Sequence, residues 1–256
     1  MRATTSLHKF ILWIYKFFLY VFNNAKNFLF PDICIVCSNK TTNNILCKNC
    51  FDSLLENYLT RKKYSCPLCG QNKKFKQCGC EYAWDFSFEK IYSLFDFDET
   101  IKKIVHDFKY NGFKNLAFLT AKNFSFLIPD DLLKDIDIII PVPLHFLKKL
   151  KRGYNQAEYL AKGIIFGKNI KDIPLCKNVL LRKKATKTQT ALSKYNRSKN
   201  IISAFTIKKE KMDLIKDKNI LLVDDIITTG STCEECSKTL LNAGAKSVRV
   251  LSLARD

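Results

Sequence analysis

The residues with the clearest chemistry lie in one short segment, residues 218–232, where an aliphatic run leads into carboxylates and hydroxyls. The run at 220–223 is typical of a strand buried on both faces of a parallel sheet, and Asp224 and Asp225 follow at its carboxyl end. The turn after them contains Thr228, Thr229, Gly230, Ser231 and Thr232. It opens a helical stretch whose first N–H groups have no intrahelical partners and favour an anion. This pattern predicts a sugar-phosphate site, with carboxylates available for hydroxyls or for hydrated Mg²⁺.

Two other interpretations of this segment are a nucleotide-hydrolysing motor and a plain structural turn. The phosphate loop of such a motor needs G-x-x-x-x-G-K-[ST], and the nearest string, residues 163–169, has the wrong spacing and no hydroxyl after Lys168. A plain turn does not explain two carboxylates followed by four hydroxyls and a glycine. The sugar-phosphate interpretation therefore accounts for more of the residues.

A second candidate anion site follows another apolar run. Residues 136–143 predict a buried strand that ends at two prolines. Four cations follow within five residues, namely Lys148, Lys149, Lys151 and Arg152. We expect a loop that neutralises a diphosphate, and an ordinary solvated basic turn is the alternative. Asn155 and Gln156 are expected near the mouth of the same site.

Eight of the eleven cysteines form a constellation with metal-ligand spacing. They are Cys34, Cys37, Cys47, Cys50, Cys66, Cys69, Cys78 and Cys80. Each close pair directs two thiolates at one ion, and two pairs complete a tetrahedral zinc site. Four disulfides are the competing explanation. We predict two structural Zn²⁺ sites built from consecutive pairs, with interleaved pairing left open.

These motifs together resemble a known family. The string VDDIITTGST at residues 223–232 is similar to the 5-phosphoribosyl-1-pyrophosphate (PRPP) signature of type I phosphoribosyltransferases. Residues 141–145, 152–161 and 187–205 resemble, in order and spacing, the ComF family of competence-associated proteins. With the cysteine-rich region included, the resemblance covers roughly residues 28–256.

The resemblance implies an α/β fold, a type I phosphoribosyltransferase-like parallel sheet with flanking helices, preceded by a small zinc-ribbon module. It implies that Asp224 and Asp225 hold the ribose hydroxyls and that the turn at 228–232 binds the 5-phosphate. Arg152 and its lysines would bind the leaving pyrophosphate, with Mg²⁺ bridging. An enzyme of this kind displaces pyrophosphate from C1 of PRPP with a nitrogen nucleophile, through an oxocarbenium-like state.

No residue in the sequence stands out as one that recognises or deprotonates an acceptor. The sequence therefore leaves a second function open, a non-catalytic accessory of DNA uptake. Such a protein would sense a phosphoribosyl ligand and contact single-stranded DNA or a helicase-like partner through its basic surface or zinc ribbons.

The segment 180–205 is polar and basic between two apolar runs. The resemblance implies a lid that covers the site and excludes water. The residues that match the family pattern there are Thr188, Gln189, Leu192, Arg197 and Asn200. A disordered loop with a solvated charge run is the alternative.

The charge and composition of the chain are relevant to which molecules it binds. The formal net charge is +19, which attracts nucleic acid or anionic substrates through long-range fields. Lysine far outnumbers arginine, however, and a lysine-rich, phenylalanine-rich composition is also what an AT-rich genome produces. Because 47% of the residues are hydrophobic, general disorder is excluded. The charge alone does not decide between DNA binding and a compositional origin.

We place an apolar helix at residues 1–30, a double zinc ribbon at 31–84 and the phosphoribosyltransferase-like domain at 85–256. The first segment is short for a membrane span and lacks a cleavage motif. We expect it to pack on the protein, with peripheral membrane contact or a signal as the alternatives. The PRPP-type domain favours a reducing, cytoplasmic location. The oligomeric state is not indicated.

Four smaller predictions concern positions beside these motifs. Residues 98–112 predict an amphipathic helix, near whose end Lys109 and Tyr110 match a lysine-tyrosine pair of the family. Residues 82–93 contain Trp84, Phe86 and Phe88, whose alternation predicts a strand. Cys233 and Cys236, although spaced like ligands, share a helix stripe and are predicted to lie in the core. His145 is a weak functional candidate beside the basic run.

Overall fold

The computed structural model describes residues 33–41, 45–78, 80, 86–183 and 204–256. The chain divides into two compact units, Met1–Phe51 and Asp52–Asp256. The predicted helix at 1–30, Trp84 and the lid positions from Thr188 to Asn200 lie outside the described residues. The domain boundary near residue 85 stays a prediction.

The second unit is built on a parallel sheet. The strands are β1 (Lys90–Asp96), β2 (Ile138–Pro141), β3 (Leu180–Arg182), β4 (Phe205–Ile207), β5 (Asn219–Ile227) and β6 (Ser247–Arg255). Four of them form a sheet in the order β1-β6-β5-β2, in which every pair is parallel. Strands β3 and β4 form a separate antiparallel ribbon. The predicted parallel sheet is confirmed.

Helices of the described ranges flank this sheet. They are α1 (Lys48–Tyr64), α2 (Glu99–Tyr110), α3 (Lys114–Phe124), α4 (Asp130–Leu133), α5 (Phe146–Arg152), α6 (Gln156–Gly167) and α7 (Ser231–Asn242), with 3-10 turns at Ser125–Leu127 and Lys209–Lys211. None of these helices combines the length and apolar character that a membrane span requires.

The apolar runs of the sequence become the core. Residues 220–223 of β5 are at most 1% exposed, as expected of a central strand covered on both faces. Cys233 and Cys236 of α7 are equally buried and belong to the same core, so the prediction that they are core residues is confirmed. Burial of these side chains is the main favourable contribution to folding.

Helix α2 follows the predicted amphipathic pattern. Its N-cap residue, Asp98, accepts a hydrogen bond from the backbone N–H of Ile101 at 2.8 Å. The apolar residues of one face, Ile101, Ile104, Val105 and Phe108, are at most 3% exposed. The helix ends at Tyr110, which places Lys109 in its last turn.

Two local predictions need correction. Of the strand predicted within residues 82–93, residues 90–93 belong to β1, whereas Phe86 and Phe88 precede it, because β1 begins only at Lys90. Their rings stack on each other at 5.0 Å, and the backbone N–H of Ser87 donates to Glu234 of α7 instead of to a neighbouring strand. The basic run at 148–152, expected to be a loop, forms α5 and ends at Gly153, whose φ of 78° is left-handed.

Candidate functional site

The carboxyl ends of β2 and β5 meet at one edge of the sheet, where ligand crevices of open α/β sheets lie. A cleft of about 290 Å³ opens there. Its charged lining consists of Lys109, Lys148, Arg152, Arg182, Asp224, Asp225 and Asp256. Its other polar lining residues are Asn155, Gln156, Thr228 and Thr232. The cleft therefore brings cations, carboxylates, amides and hydroxyls together.

The two carboxylates predicted from the sequence lie side by side in this cleft. The backbone N–H of Asp225 donates to Asp224 Oδ1 at 2.8 Å, and that of Ile226 donates to Asp225 Oδ1 at 2.7 Å. Lys109 Nζ lies 2.8 Å from Asp225 Oδ2, and both side chains are less than one fifth exposed. Asp225 is therefore paired with a cation, whereas Asp224 has no salt-bridge partner among the described residues.

This difference affects the charge of Asp224. Burial raises the pKa of its carboxyl to about 7, and the neighbouring charge of Asp225 adds to the effect. Lys109 and Arg182 act in the opposite direction but do not cancel it. A divalent cation bound beside the pair would lower this pKa again, since opposite charge favours the ionised form. The pair is arranged to bind hydroxyls or a divalent ion.

Facing the carboxylates is a cluster of cations. Burial, followed by the charges of Arg182, Arg152 and Lys109, lowers the pKa of the Lys148 ammonium. Burial also lowers the pKa of Arg182. A bound anion would favour the charged forms of Lys148 and Arg182, so this side of the cleft favours a phosphate or diphosphate. The other two lysines of the basic run, Lys149 and Lys151, are exposed and do not line the cleft.

The predicted phosphate turn connects β5 to α7. Gly230, with a φ of 82°, is the N-cap of that twelve-residue helix, a conformation that glycine adopts without steric cost. Thr229 Oγ1 and Ser231 Oγ are hydrogen-bonded at 2.8 Å, which closes the turn on itself. Thr228 and Thr232 line the cleft, whereas Thr229, Gly230 and Ser231 do not. The helix start and the two threonines thus face the same space as the cations.

The first turn of α6 also lines the cleft. Asn155, the N-cap, accepts from the backbone N–H of Ala157 at 3.2 Å and donates from Nδ2 to the carbonyl of Val142 at 3.0 Å. This pair of bonds ties α6 to the end of β2. Gln156 is 1% exposed, and its buried Nε2 has no hydrogen-bond partner among the described residues. A buried amide without a partner at the edge of a polar cleft is an available donor.

Several lining residues were not identified as site residues from the sequence. Arg182 lies at the end of β3, and Phe97 and Asp256 follow β1 and β6. No local motif marks any of them. His145, the weak candidate, is the N-cap of α5: its Nδ1 accepts from the backbone N–H of Leu147 at 3.3 Å, and it does not line the cleft.

The eight cysteines form two separate groups. One contains Cys34, Cys37, Cys47 and Cys50, and the other contains Cys66, Cys69, Cys78 and Cys80. Within each group the sulfur atoms lie within 4.8 Å of one another, and all eight are free thiols. This is the sequential grouping and not the interleaved one. Four sulfurs at this separation fit a tetrahedral metal site, and both groups are consistent with zinc ribbons.

Comparisons with known proteins agree with this architecture. Residues 92–256 match the model of the phosphoribosyl transferase domain family. The chain is 32% identical to competence protein F of Haemophilus influenzae over 196 residues, which cover 74% of this chain and 84% of the relative. It is 28% identical to the DNA utilization protein YhgH of Salmonella typhimurium, over 74% of this chain and 83% of the relative. Competence protein ComFC of Streptococcus pneumoniae is 27% identical, over 82% of this chain and 87% of the relative. The chain therefore belongs to the phosphoribosyl transferase domain family and, within it, to the ComF group that includes these relatives.

Proposed function

We propose that the cleft binds PRPP, or a closely related phosphoribosyl ligand, together with Mg²⁺. The observation that carries this proposal is that two adjacent carboxylates and four cations, of which Lys109 pairs with Asp225, line one cleft of about 290 Å³. A ribose with phosphates at two ends needs both kinds of group. Acceptors are required for its hydroxyls, and donors are required for its phosphates.

Each chemical group of the ligand has a matching set of residues in the cleft. The N–H groups at the start of α7, with Thr228 and Thr232, suit the 5-phosphate. Asp224 and Asp225 suit the ribose hydroxyls and would hold Mg²⁺, which supplies charge neutralisation for the diphosphate. Lys148, Arg152 and Arg182 suit the diphosphate itself.

In an enzyme, these same residues would lower the barrier to loss of pyrophosphate. The cations would stabilise the negative charge that develops on the leaving group, and the carboxylates would face the positive charge that develops on the ribose. Positioning of the two reacting groups would supply much of the remaining reduction of the barrier. This part of the proposal concerns a phosphoribosyl transfer to a nitrogen acceptor.

Calorimetry tests the ligand. Titration of PRPP into the wild type with Mg²⁺ should give saturable binding, and Asp224→Asn combined with Asp225→Asn should abolish its Mg²⁺ dependence. Asp130→Asn combined with Asp131→Asn is the matched control, because these adjacent aspartates are exposed and lie at the start of α4, outside the lining of the cleft. Equal Mg²⁺-dependent affinities in the wild type and the first double variant would contradict the proposal.

A second candidate function is a non-catalytic accessory of DNA uptake. It is favoured by the names of the relatives, competence protein and DNA utilization protein, and by the net charge of +19. In this case the cleft would sense the ligand while a basic surface binds single-stranded DNA. The described part of the chain contributes one such surface on α5, where Phe146, Leu147 and Leu150 are exposed on the same helix as the exposed Lys149 and Lys151.

A pyrophosphate-release assay separates the two functions. The wild type is incubated with PRPP, Mg²⁺ and a panel of bases and amines. Release with one acceptor, without DNA binding at physiological salt, supports the enzyme. Binding of single-stranded DNA with a steep salt dependence, without release for any acceptor, supports the accessory.

We further propose that both cysteine groups hold structural Zn²⁺. The donor set supports this, because four thiolates in a compact group are a common structural zinc site. Free thiolates also require a reducing compartment, so the proposal places the protein in the cytoplasm.

A further inference from the structure

Arg255, near the end of β6, is a buried cation without a hydrogen-bond partner on two of its nitrogens. The residue is 8% exposed, and its Nε and Nη1 are buried and unpaired among the described residues. Its neighbour across the sheet is Asp96 of β1. Both carboxylate oxygens of Asp96 are already occupied, Oδ1 by Arg61 and Oδ2 by Asn72 Nδ2 at 2.6 Å. The nearest strand carboxylate therefore does not account for Arg255.

Burial lowers the pKa of this guanidinium, and the groups that oppose this shift by raising its pKa are thiols. They are, in decreasing order, Cys69, Cys233, Cys80 and Cys66. Three of these four belong to the second cysteine group. Arg255 also lines a cavity of about 520 Å³ together with Gln71 and Asn72, which follow Cys69 closely in the chain.

Another arginine also contacts the backbone beside the second cysteine group. Arg61 of α1, which is 2% exposed, donates from Nη2 to the carbonyl of Gly70, the residue after Cys69. Its Nε donates to the carbonyl of Ser93 in β1 at 2.9 Å. Arg61 forms a salt bridge with Asp96. The carboxylate of Asp96 therefore neutralises Arg61, and the charge of Arg255 stays uncompensated.

A buried, unpaired guanidinium is costly, because removing an ion from water is repaid only by a counter-charge. Four neutral thiols do not provide one. Four thiolates around one divalent ion carry a net charge of −2 and present sulfur lone pairs to N–H donors. The unpartnered atoms of Arg255 are therefore explained when the second group is in its metal-bound, anionic state.

We propose that Arg255 is the counter-ion and outer hydrogen-bond donor of the metal centre formed by Cys66, Cys69, Cys78 and Cys80. It acts as a positioning residue that donates hydrogen bonds to the ligand sulfurs and ties the centre to β6. This inference rests on the zinc part of the proposed function. The described part of the first unit contains no arginine, so the first centre lacks this support and serves as an internal reference.

Zinc competition on the full-length chain tests the proposal. The wild type, loaded with two zinc ions, is titrated with a chromogenic chelator. In Arg255→Gln, one ion should be held about 10- to 100-fold more weakly, the usual effect of removing an outer-shell partner, while the other is unchanged. The same titration in a Cys34→Ser, Cys37→Ser background assigns the weakened ion to the second centre.

Arg249→Gln is the matched control. Arg249 lies on the same strand, but it pairs with Glu89 at 2.8 Å and donates to backbone carbonyls near α4. Its loss should leave both zinc affinities unchanged. Arg255→Lys keeps the positive charge and loses the planar fork of donors, so it should fold and show a smaller loss than Arg255→Gln.

Cobalt substitution provides a measurement that does not depend on the stability of the fold. With Co²⁺ in the second centre, the sulfur-to-metal charge-transfer band should shift in both Arg255→Lys and Arg255→Gln, because the N–H···S contacts change. Equal zinc affinities and unshifted bands in the Arg255 variants, or an equal loss in Arg249→Gln, would overturn the proposal for Arg255 alone. A wild type that binds no zinc would overturn the zinc proposal and this one together.

Discussion

At the scale of single residues, the cleft holds a carboxylate, Asp224, whose ionised form is disfavoured by burial and by the charge of Asp225. Asp224 shares its environment with Asp225 but lacks the salt bridge that Asp225 makes with Lys109. Its raised pKa, about 7, shows that the folded protein favours the protonated form. A site that binds a metal ion or a sugar hydroxyl through this group accepts a stability cost until the ligand arrives.

The stability cost predicts a pH dependence for Asp224→Asn. In the unfolded chain the carboxyl ionises near pH 3.8, and in the folded protein near 7. Below pH 3.8 both states are protonated, so the substitution has little effect. Between these values wild-type stability falls as pH rises, by at most about 4 kcal/mol at about 1.4 kcal/mol per unit. The variant should therefore be more stable than the wild type at pH 8, and urea unfolding at pH 4.5 and pH 8 measures this.

Asp131→Asn is the control of opposite sign. Lys90, with a nitrogen 3.0 Å away, lowers the pKa of the Asp131 carboxyl. Such a group adds stability above its unfolded pKa and loses it as pH falls, so this variant should be slightly less stable at pH 8. A gain in stability for Asp224→Asn that is the same at both pH values would contradict the burial explanation.

At the scale of elements, the wall formed by α6 depends on close packing against α3. A Cβ added at Gly163 would lie 2.3 Å from the carbonyl oxygen of Phe118 and 2.8 Å from the Cβ of Ala121. The two helices therefore approach each other closely only because residue 163 has no side chain. Since Asn155 and Gln156 stand at the start of α6, this contact also sets the position of two cleft residues.

Gly163→Ala should be destabilising, although alanine normally favours a helix interior by about 0.5–1 kcal/mol. The clash involves backbone atoms, and overpacking of this kind costs about 1–3 kcal/mol. We expect a lower melting temperature and weaker binding of PRPP. Lys162→Ala introduces the same residue one position earlier, where the salt bridge with Glu158 and the contact with the Tyr159 ring are lost but no backbone clash arises, and it should change the melting temperature much less. Equal stabilities of the two variants would refute the packing argument.

At the scale of the whole molecule, the two cysteine groups fall in different units. The second group lies in Asp52–Asp256 with the cleft, and the first lies in Met1–Phe51. The second group is joined to β1 by the N–H of Ile91, which donates to the carbonyl of Leu68 at 2.7 Å, and by the contacts of Arg61. Loss of its metal should therefore affect the strand that ends beside the cleft.

The expected outcome is a difference between two matched cysteine variants. Cys34→Ser and Cys66→Ser should each remove about one zinc ion, measured by mass spectrometry of the native protein. Only Cys66→Ser should also lower the melting temperature of the phosphoribosyltransferase unit and weaken PRPP binding. Intact protein with four disulfides and no zinc would contradict the metal assignment, and equal effects of the two variants on PRPP binding would contradict the distinction between them.

The sequence by itself determined the features that depend on local order. The aliphatic run before Asp224, the hydroxyl turn after it, the face of α2 and the close cysteine pairs are all read from neighbouring residues, because strand and helix periodicity and knuckle spacing are local properties. The parallel fold and the family followed from these motifs. The strand predicted from the aromatic alternation did not extend over Phe86 and Phe88, because the neighbouring residues do not reveal that the N–H of Ser87 donates to Glu234 of α7.

Only the tertiary structure decided which distant residues meet. In a parallel sheet of order β1-β6-β5-β2, strands far apart in the chain lie side by side, and their carboxyl ends share one edge. This arrangement brings Lys109 to Asp225 and Arg182 to the cleft, and it buries Arg255 beside a cavity that Gln71 and Asn72 also line. Such pairings depend on strand order and burial, which no spacing along the chain encodes.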